Sequence, residues 1–183
     1  MRLDDLWTAA ALSRSMRHRR ASRCGRFIGC MLVLLAGCSG TPLEYVPNPE
    51  YNLAGNWVLV PELSDQVPDR SFLRARGGMI AFVTQDFPVL RAQRMHIEQN
   101  RDSMGVEYDG SDYRDVSWGV RQRGLWEVEA GWLEGNLVID SQAPDGDARE
   151  TFILSPDGEM LTIQIRVSSG REAVELTRIF SRT

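Results

Sequence analysis

From residue 53 onward the chain alternates apolar and polar side chains with a period of two, and turn-forming residues break the pattern every eight to twelve positions or so. In residues 161–167, Leu161, Ile163, Ile165 and Val167 fall on one side of an extended backbone, and Thr162, Gln164 and Arg166 fall on the other. Residues 126–132 repeat the pattern, with Trp126, Val128, Ala130 and Trp132 opposite Glu127 and Glu129. Strands with one dry and one wet face belong to antiparallel sheets. Further strands are expected at 57–62, 79–84, 93–99, 104–108, 113–118, 136–141, 149–154 and 174–180, and no helix of ten residues is expected.

The connections carry turn chemistry. Ser155-Pro156-Asp157-Gly158 places proline second and glycine fourth in a type I turn, and Leu133-Glu134-Gly135-Asn136 and Ser168-Ser169-Gly170-Arg171 read the same way. The C-terminal half is therefore an antiparallel meander. The expected fold is all-β, an eight- to ten-stranded meander closing into a barrel, because closure removes the unpaired edges of an open sheet; a β-sandwich is the alternative. Residues 61–90 are the least regular stretch and read as a long connection over the barrel mouth, with Phe72, Leu73, Phe82 and Phe87 as lid or additional core.

The N-terminal residues have another purpose. Arg14, Arg17, Arg19, Arg20, Arg23 and Arg26 precede an apolar run from Phe27 to Ala36, which closes in Leu35-Ala36-Gly37-Cys38. As a helix, ten residues extend roughly 15 Å, against a bilayer core of about 30 Å, so the run is a removable export signal and not a span. Its end resembles the lipobox of bacterial lipoproteins. That resemblance implies cleavage between Gly37 and Cys38, a diacylglyceryl group on the Cys38 sulfur, and an acylated new amino terminus; an ordinary secretory signal is the alternative. Two or more acyl chains, at about 0.8 kcal/mol per buried methylene, hold a protein on a membrane stably. By the same resemblance Ser39, where an Asp would mark inner-membrane retention, implies the periplasmic face of the outer membrane. Starting at Met16 instead of Met1 gives a signal of ordinary length.

The organisation expected is a signal at 1–37, a lipidated terminus and flexible linker at 38–52 with prolines 42, 47 and 49, and a barrel domain at 53–183. Cys24 and Cys30 leave with the signal, so Cys38 is the last thiol and the domain must be stabilised by its core alone.

Residues 38–183 hold fourteen arginines against twenty-three carboxylates, a formal charge near −9. A domain so acidic, with no basic stripe, does not attract nucleic acid, and it gains no electrostatic attraction to anionic lipid. One histidine, His96, remains outside the signal. With Glu98 on the same strand face it could act as a base, but the bland reading is a hydrogen-bonded polar face. One imidazole and no thiol cannot furnish a zinc site, so neither metal nor cofactor is expected. The acidic run Asp109-Gly110-Ser111-Asp112-Tyr113-Arg114-Asp115 lacks the sixth-position glycine of a calcium loop and has Val120 where its bidentate glutamate belongs; it reads as a solvated hairpin loop. No catalytic constellation is found, and the protein is expected to be no enzyme.

Gly55-Asn56-Trp57, at the start of the domain, resembles the glycine-x-tryptophan signature of lipocalins and other calycins. The resemblance implies that Trp57 plugs the closed end of a barrel and that a last-strand arginine, Arg178 or Arg182, lies over its ring, a contact worth roughly 0.5–2 kcal/mol. No helix follows the last strand, no cysteine pair closes it, and Ser111-Asp112-Tyr113 comes too early for the lipocalin turn, so the expectation is a lipocalin-like barrel. Two functions fit an anchored barrel. It binds a small apolar ligand, with Trp118, Trp126 and Trp132 as lining; or it is filled by its own side chains and docks an envelope protein as a structural or interaction lipoprotein. Cys38→Ser is expected to abolish incorporation of radiolabelled palmitate and to move the protein from membrane to soluble fractions; an unchanged distribution overturns the lipid anchor.

Overall fold

Period-two alternation with short glycine turns yields one continuous antiparallel sheet in the computed structural model, which describes residues 41–46, 51–76 and 78–183. Ten strands compose it: β1 (Gly55–Leu59), β2 (Arg94–Gln99), β3 (Ser103–Tyr108), β4 (Asp112–Ser117), β5 (Gly119–Arg123), β6 (Trp126–Leu133), β7 (Asn136–Ala143), β8 (Gly146–Leu154), β9 (Met160–Ser169) and β10 (Glu172–Arg182). Their order is β4-β3-β2-β1-β10-β9-β8-β7-β6-β5, so the first strand joins the last and the free edges are β4 and β5. The sheet curls into a nearly closed barrel, and it is one sheet where a sandwich needs two. Its inner face carries the core: Trp57, Met104, Val106, Phe152, Ile163, Val167 and Phe180 have no exposed surface. The expected signal, with the cleavage and lipidation positions Gly37 and Cys38, lies outside the described residues.

Two elements depart from the sequence expectation. Residues 79–84 were expected as a strand, but Gly78–Val83 is a helix, α2, following α1 (Arg70–Arg76) in the connection between β1 and β2. The burial pattern explains it: Ile80 and Val83, three apart, face inward while Met79 and Phe82, also three apart, face out, the spacing of a helix and not of a strand. Conversely, β5 was not expected. It is an edge strand whose Val120, Arg121, Gln122 and Arg123 are all exposed, so it has no apolar face to show in the sequence. The linker is also less free than expected, since Glu44 forms an isolated antiparallel bridge with Trp132. No helix among the described residues is long and apolar enough to cross a membrane.

The strand directions define two ends. At the helical end, α1 and α2 cover the mouth, and Leu73, Ile80, Val83 and Phe87 complete the core. At the other, the tryptophan end, β1 begins and Trp57 pairs with Arg182 of β10 and Met95 of β2. There the Arg182 guanidinium lies 4.2 Å from the centre of the Trp57 ring, and it donates to the carbonyls of Ala54 (2.5 Å), Gly158 (2.7 Å) and Asn52 (3.1 Å). Trp57 Nε1 donates to the Leu53 carbonyl at 2.9 Å. Gly55, at φ +138°, leaves room for this arginine: a Cβ there would meet its Nη1 at 2.7 Å. Arg178, the other arginine assigned to Trp57 from sequence, does not reach the ring. Four residues upstream on the same face, it lies nearer the helical end and donates to the carbonyls of Ala92 (2.9 Å) and Asp65 (3.2 Å). Arg182→Ala is therefore expected to lower stability by about 1–3 kcal/mol in urea unfolding followed by tryptophan fluorescence, and Arg178→Ala to leave the environment of Trp57 unchanged.

Candidate functional site

The helical end carries an apolar opening. A groove of about 430 Å³ lies between α2 and the turns that join β5 to β6 and β7 to β8; its walls include Met79, Phe82, Val83, Leu125, Trp126 and Pro144. Three of these are unusually exposed for their type: Met79 at 49%, Phe82 at 68% and Leu125 at 82%. A cluster of exposed apolar side chains around a concavity marks a binding surface, whereas scattered ones need no explanation. A larger hollow of about 890 Å³ beside the β7–β8 turn is walled mainly by polar groups, Asp140, Gln142, Arg149 and Arg166 among them, and shares Met79, Ala143 and Pro144 with the groove.

Behind the groove an unbroken series of contacts leads inward. Trp126 Nε1 donates to Asp86 Oδ2 at 2.9 Å, which ties the β6 strand to the segment after α2. Its ring meets the edge of Phe87 with centres 5.2 Å apart and planes at 78°. The guanidinium of Arg114 stands 5.7 Å from the Phe87 ring centre. Arg114 projects from β4 into the barrel and pairs with Glu150 of β8, both fully desolvated. Tyr108, also buried, shares the cluster: it is a hydrogen-bonding partner of Arg114. Burial works against the charge on Arg114, but the neighbouring Glu150 carboxylate and Tyr108 outweigh it and raise its pKa. Burial, reinforced by Glu150, holds the Tyr108 phenol far above its ordinary pKa, so it stays a neutral phenol whose oxygen accepts from Arg114. Glu150 Oε1 has no partner among the described residues, leaving one acceptor open beside the pair.

Neither charge was singled out from the sequence. Arg114 was read as part of a solvated loop and Glu150 as a strand residue without special meaning. The signal was present: in β4, Arg114 is in phase with buried Val116, and in β8, Glu150 sits between Ala148 and Phe152 on the buried face. Two opposite charges, each on an apolar face, call for one another.

The three tryptophans assigned to a ligand wall are not together. Trp126 forms the groove, whereas Trp118 and Trp132 lie at the tryptophan end, with ring centres 5.7 Å apart. Trp118 Nε1 donates to the Arg101 carbonyl at 2.9 Å, and Tyr51 packs edge-on against Trp132 at 4.9 Å. The Tyr51 hydroxyl donates to the Phe152 carbonyl (2.5 Å) and accepts from Leu154 N–H (2.7 Å); burial pushes its pKa up to about 12. These residues seal that end. His96 lies on the outer face of β2, bonded to Asn56 at 2.8 Å and 3.7 Å from Glu98. The Asp109–Asp115 run forms the β3–β4 hairpin, and Asp109 Oδ1 accepts the N–H groups of Gln93 and Arg94, each at 2.9 Å, which commits it to the backbone. Among the described residues no three His, Cys, Asp or Glu side chains cluster as a metal site.

The chain matches no protein-family model and no curated protein by sequence. Its fold is similar to several solved structures. Human cRBP IV is 21% identical, aligned over 73% of this chain and 99% of that one, with a TM-score of 0.49. Fatty-acid-binding protein 1 of Echinococcus granulosus is 12% identical over 72% and 97%, with a TM-score of 0.49. Zebrafish ileal bile acid-binding protein, solved with cholic acid, is 15% identical over 71% and 98%, with a TM-score of 0.45. The class defined by the strand order is a nearly closed barrel of ten antiparallel strands.

Removing one member of a buried ion pair strands the other charge, at a typical cost of about 3–5 kcal/mol, whereas replacing both with apolar groups is far milder. Arg114→Met and Glu150→Leu are each expected to lose stability on that scale in urea unfolding, and the double variant to recover most of it; additive losses would show that the two side chains do not act together.

Proposed function

We propose that the protein is a lipid-anchored binding protein of the bacterial envelope, held through Cys38 at the periplasmic face of the outer membrane, which takes a small apolar ligand at the helical end of its barrel. The observation that carries this reading is the groove beside α2, where Phe82, Met79 and Leu125 present apolar surface to solvent around a wall made by Trp126. Its volume falls within the range of about 300–1,000 Å³ found for small-molecule sites. The ligand contributes apolar area against Phe82, Leu125 and Trp126. The protein acts by binding and not by catalysis: of the two carboxylates that line the groove, Asp86 is engaged by Trp126 and Asp145 lies in the β7–β8 turn, and neither has a nucleophilic side chain beside it in the lining.

A second reading is a barrel filled by its own side chains that serves the envelope as a structural or interaction protein. It is favoured by the inner face, where Trp57, Met104, Val106, Phe152 and Ile163 have no accessible surface. Native mass spectrometry after mild extraction separates the two: co-purifying small-molecule mass supports binding, and a clean apo mass with a reproducible protein partner supports the second reading.

Titration with a fluorescent fatty-acid analogue, read by quenching of Trp126, is expected to saturate. Phe82→Asp is expected to weaken the analogue about tenfold or more, the equivalent of losing one buried aromatic contact of roughly 1.5–3 kcal/mol. Equal affinity in parent and variant overturns the placement of the site.

A further inference from the structure

The linker between Cys38 and the barrel is pinned close to its start. Glu44 N–H donates to the Trp132 carbonyl at 2.9 Å, and the Glu44 carbonyl accepts from Trp132 N–H at 2.7 Å. Trp132 lies past the point where β5 stops covering β6, since Gly119, the first residue of β5, pairs with Ala130. The bridge is antiparallel to β6, as β5 is, so Glu44 prolongs the β5 edge toward the tryptophan end, and the chain arrives from that end. The neighbours of Glu44 close over Gly131. A Cβ there would lie 2.7 Å from Leu43 Cβ and 2.8 Å from the Glu44 carbonyl, so only glycine admits the strap. Leu43 is buried, and the Tyr45 hydroxyl donates to Glu129 Oε1 at 2.6 Å.

We propose that this strap fixes how the barrel stands on its membrane, with the tryptophan end toward the bilayer and the helical end, with its groove, facing away. The inference rests on the lipid anchor at Cys38. Four residues, Ser39 to Pro42, separate Cys38 from Leu43, and five extended residue steps reach at most about 18 Å. Strand β6 has eight residues and spans roughly 26 Å, so a tether fastened at its tryptophan end cannot bring the helical end to the same surface by turning the barrel over. In the turns of the tryptophan end exposed Asp102, Glu134, Asp157 and Glu159 outnumber exposed Arg101, and this acidic excess repels anionic headgroups, so the barrel stands off the bilayer and does not sink into it. The groove therefore opens to the aqueous compartment, and ligand is exchanged with that side and not with the bilayer that carries the protein.

The mature chain has one cysteine, consumed by acylation, so a second introduced cysteine can be labelled alone. Arg101→Cys reports the tryptophan end and Ser111→Cys the helical end. The acylated full-length protein is reconstituted in phosphatidylethanolamine–phosphatidylglycerol vesicles containing a rhodamine-headgroup lipid, and energy transfer from the labels is measured. Transfer several-fold more efficient from position 101 than from 111 is expected, and Glu44→Pro or Gly131→Ala, which release the strap, should bring the two together. Hydrogen exchange at the Trp132 amide, slow in the parent and in Cys38→Ser and fast in Glu44→Pro, reads the strap independently of any lipid. Equal transfer in a vesicle-bound parent overturns the orientation, and fast exchange at Trp132 in the parent overturns the strap. A parent that fails to float with vesicles while Trp132 stays protected overturns the anchor, and the orientation with it.

Discussion

The sheet has ten strands and only nine hydrogen-bonded neighbour pairs, so closure must come from something other than the backbone. The Arg114–Glu150 pair meets that requirement at the level of side chains. It reaches from the edge strand β4 across the lumen to β8, and it holds the curl of the sheet in a place where no ladder continues. Two buried charges are an expensive latch, because each must be taken out of water, and their attraction repays this only when further polar partners are in place. Tyr108 supplies one such partner. The cluster joins β4 to β8 through side chains alone.

Closure at the other end uses different chemistry. Arg182 covers Trp57 and ties three carbonyls from the approaching chain and from the β8–β9 turn, while Trp118, Trp132 and Tyr51 fill the remaining opening. The strap residue Glu44 adds a short piece of strand beside β6, where β5 falls short. The two ends are consequently unequal. One is sealed by aromatic rings and cross-chain hydrogen bonds; the other is covered by two short helices whose outward residues remain apolar and wet. Short helices of seven and six residues have little stability of their own, and they persist by packing on the barrel through Leu73, Ile80 and Val83.

Much of this was legible in the sequence because burial on one face of a strand leaves a period of two that no other element produces. Most of the strands carry that mark, clearest in β2, β4 and β9, and the Ser155–Gly158 turn is marked instead by its proline and glycine. Reading failed where burial does not alternate. Met79-Ile80-Ala81-Phe82-Val83 is apolar throughout, so strand and helix fit it equally until packing selects Ile80 and Val83 for the inside. Edge strand β5 buries no side chain at all, its one buried residue being Gly119, and left no pattern. The strap, too, was hidden: a glycine in phase with tryptophans looks like a gap in a strand, and only the folded chain shows Leu43 and Tyr45 lying over Gly131.

The inner face and the groove together limit how a ligand can be accommodated. With Phe87, Phe152 and Phe180 almost wholly buried and Trp57 without accessible surface, the lumen is packed, and interiors at that density do not yield space without moving side chains. Displacing Phe87 would also uncover Arg114, since the ring lies between that guanidinium and Trp126. Deep insertion therefore costs the desolvation that the ion pair depends on, whereas occupation of the groove beside α2 costs only a shift of Phe82 or Leu125, which solvent already surrounds. A shallow site at the rim is the arrangement this barrel supports at least expense, and its floor is Trp126, whose indole is held by Asp86 at the junction between lid and wall.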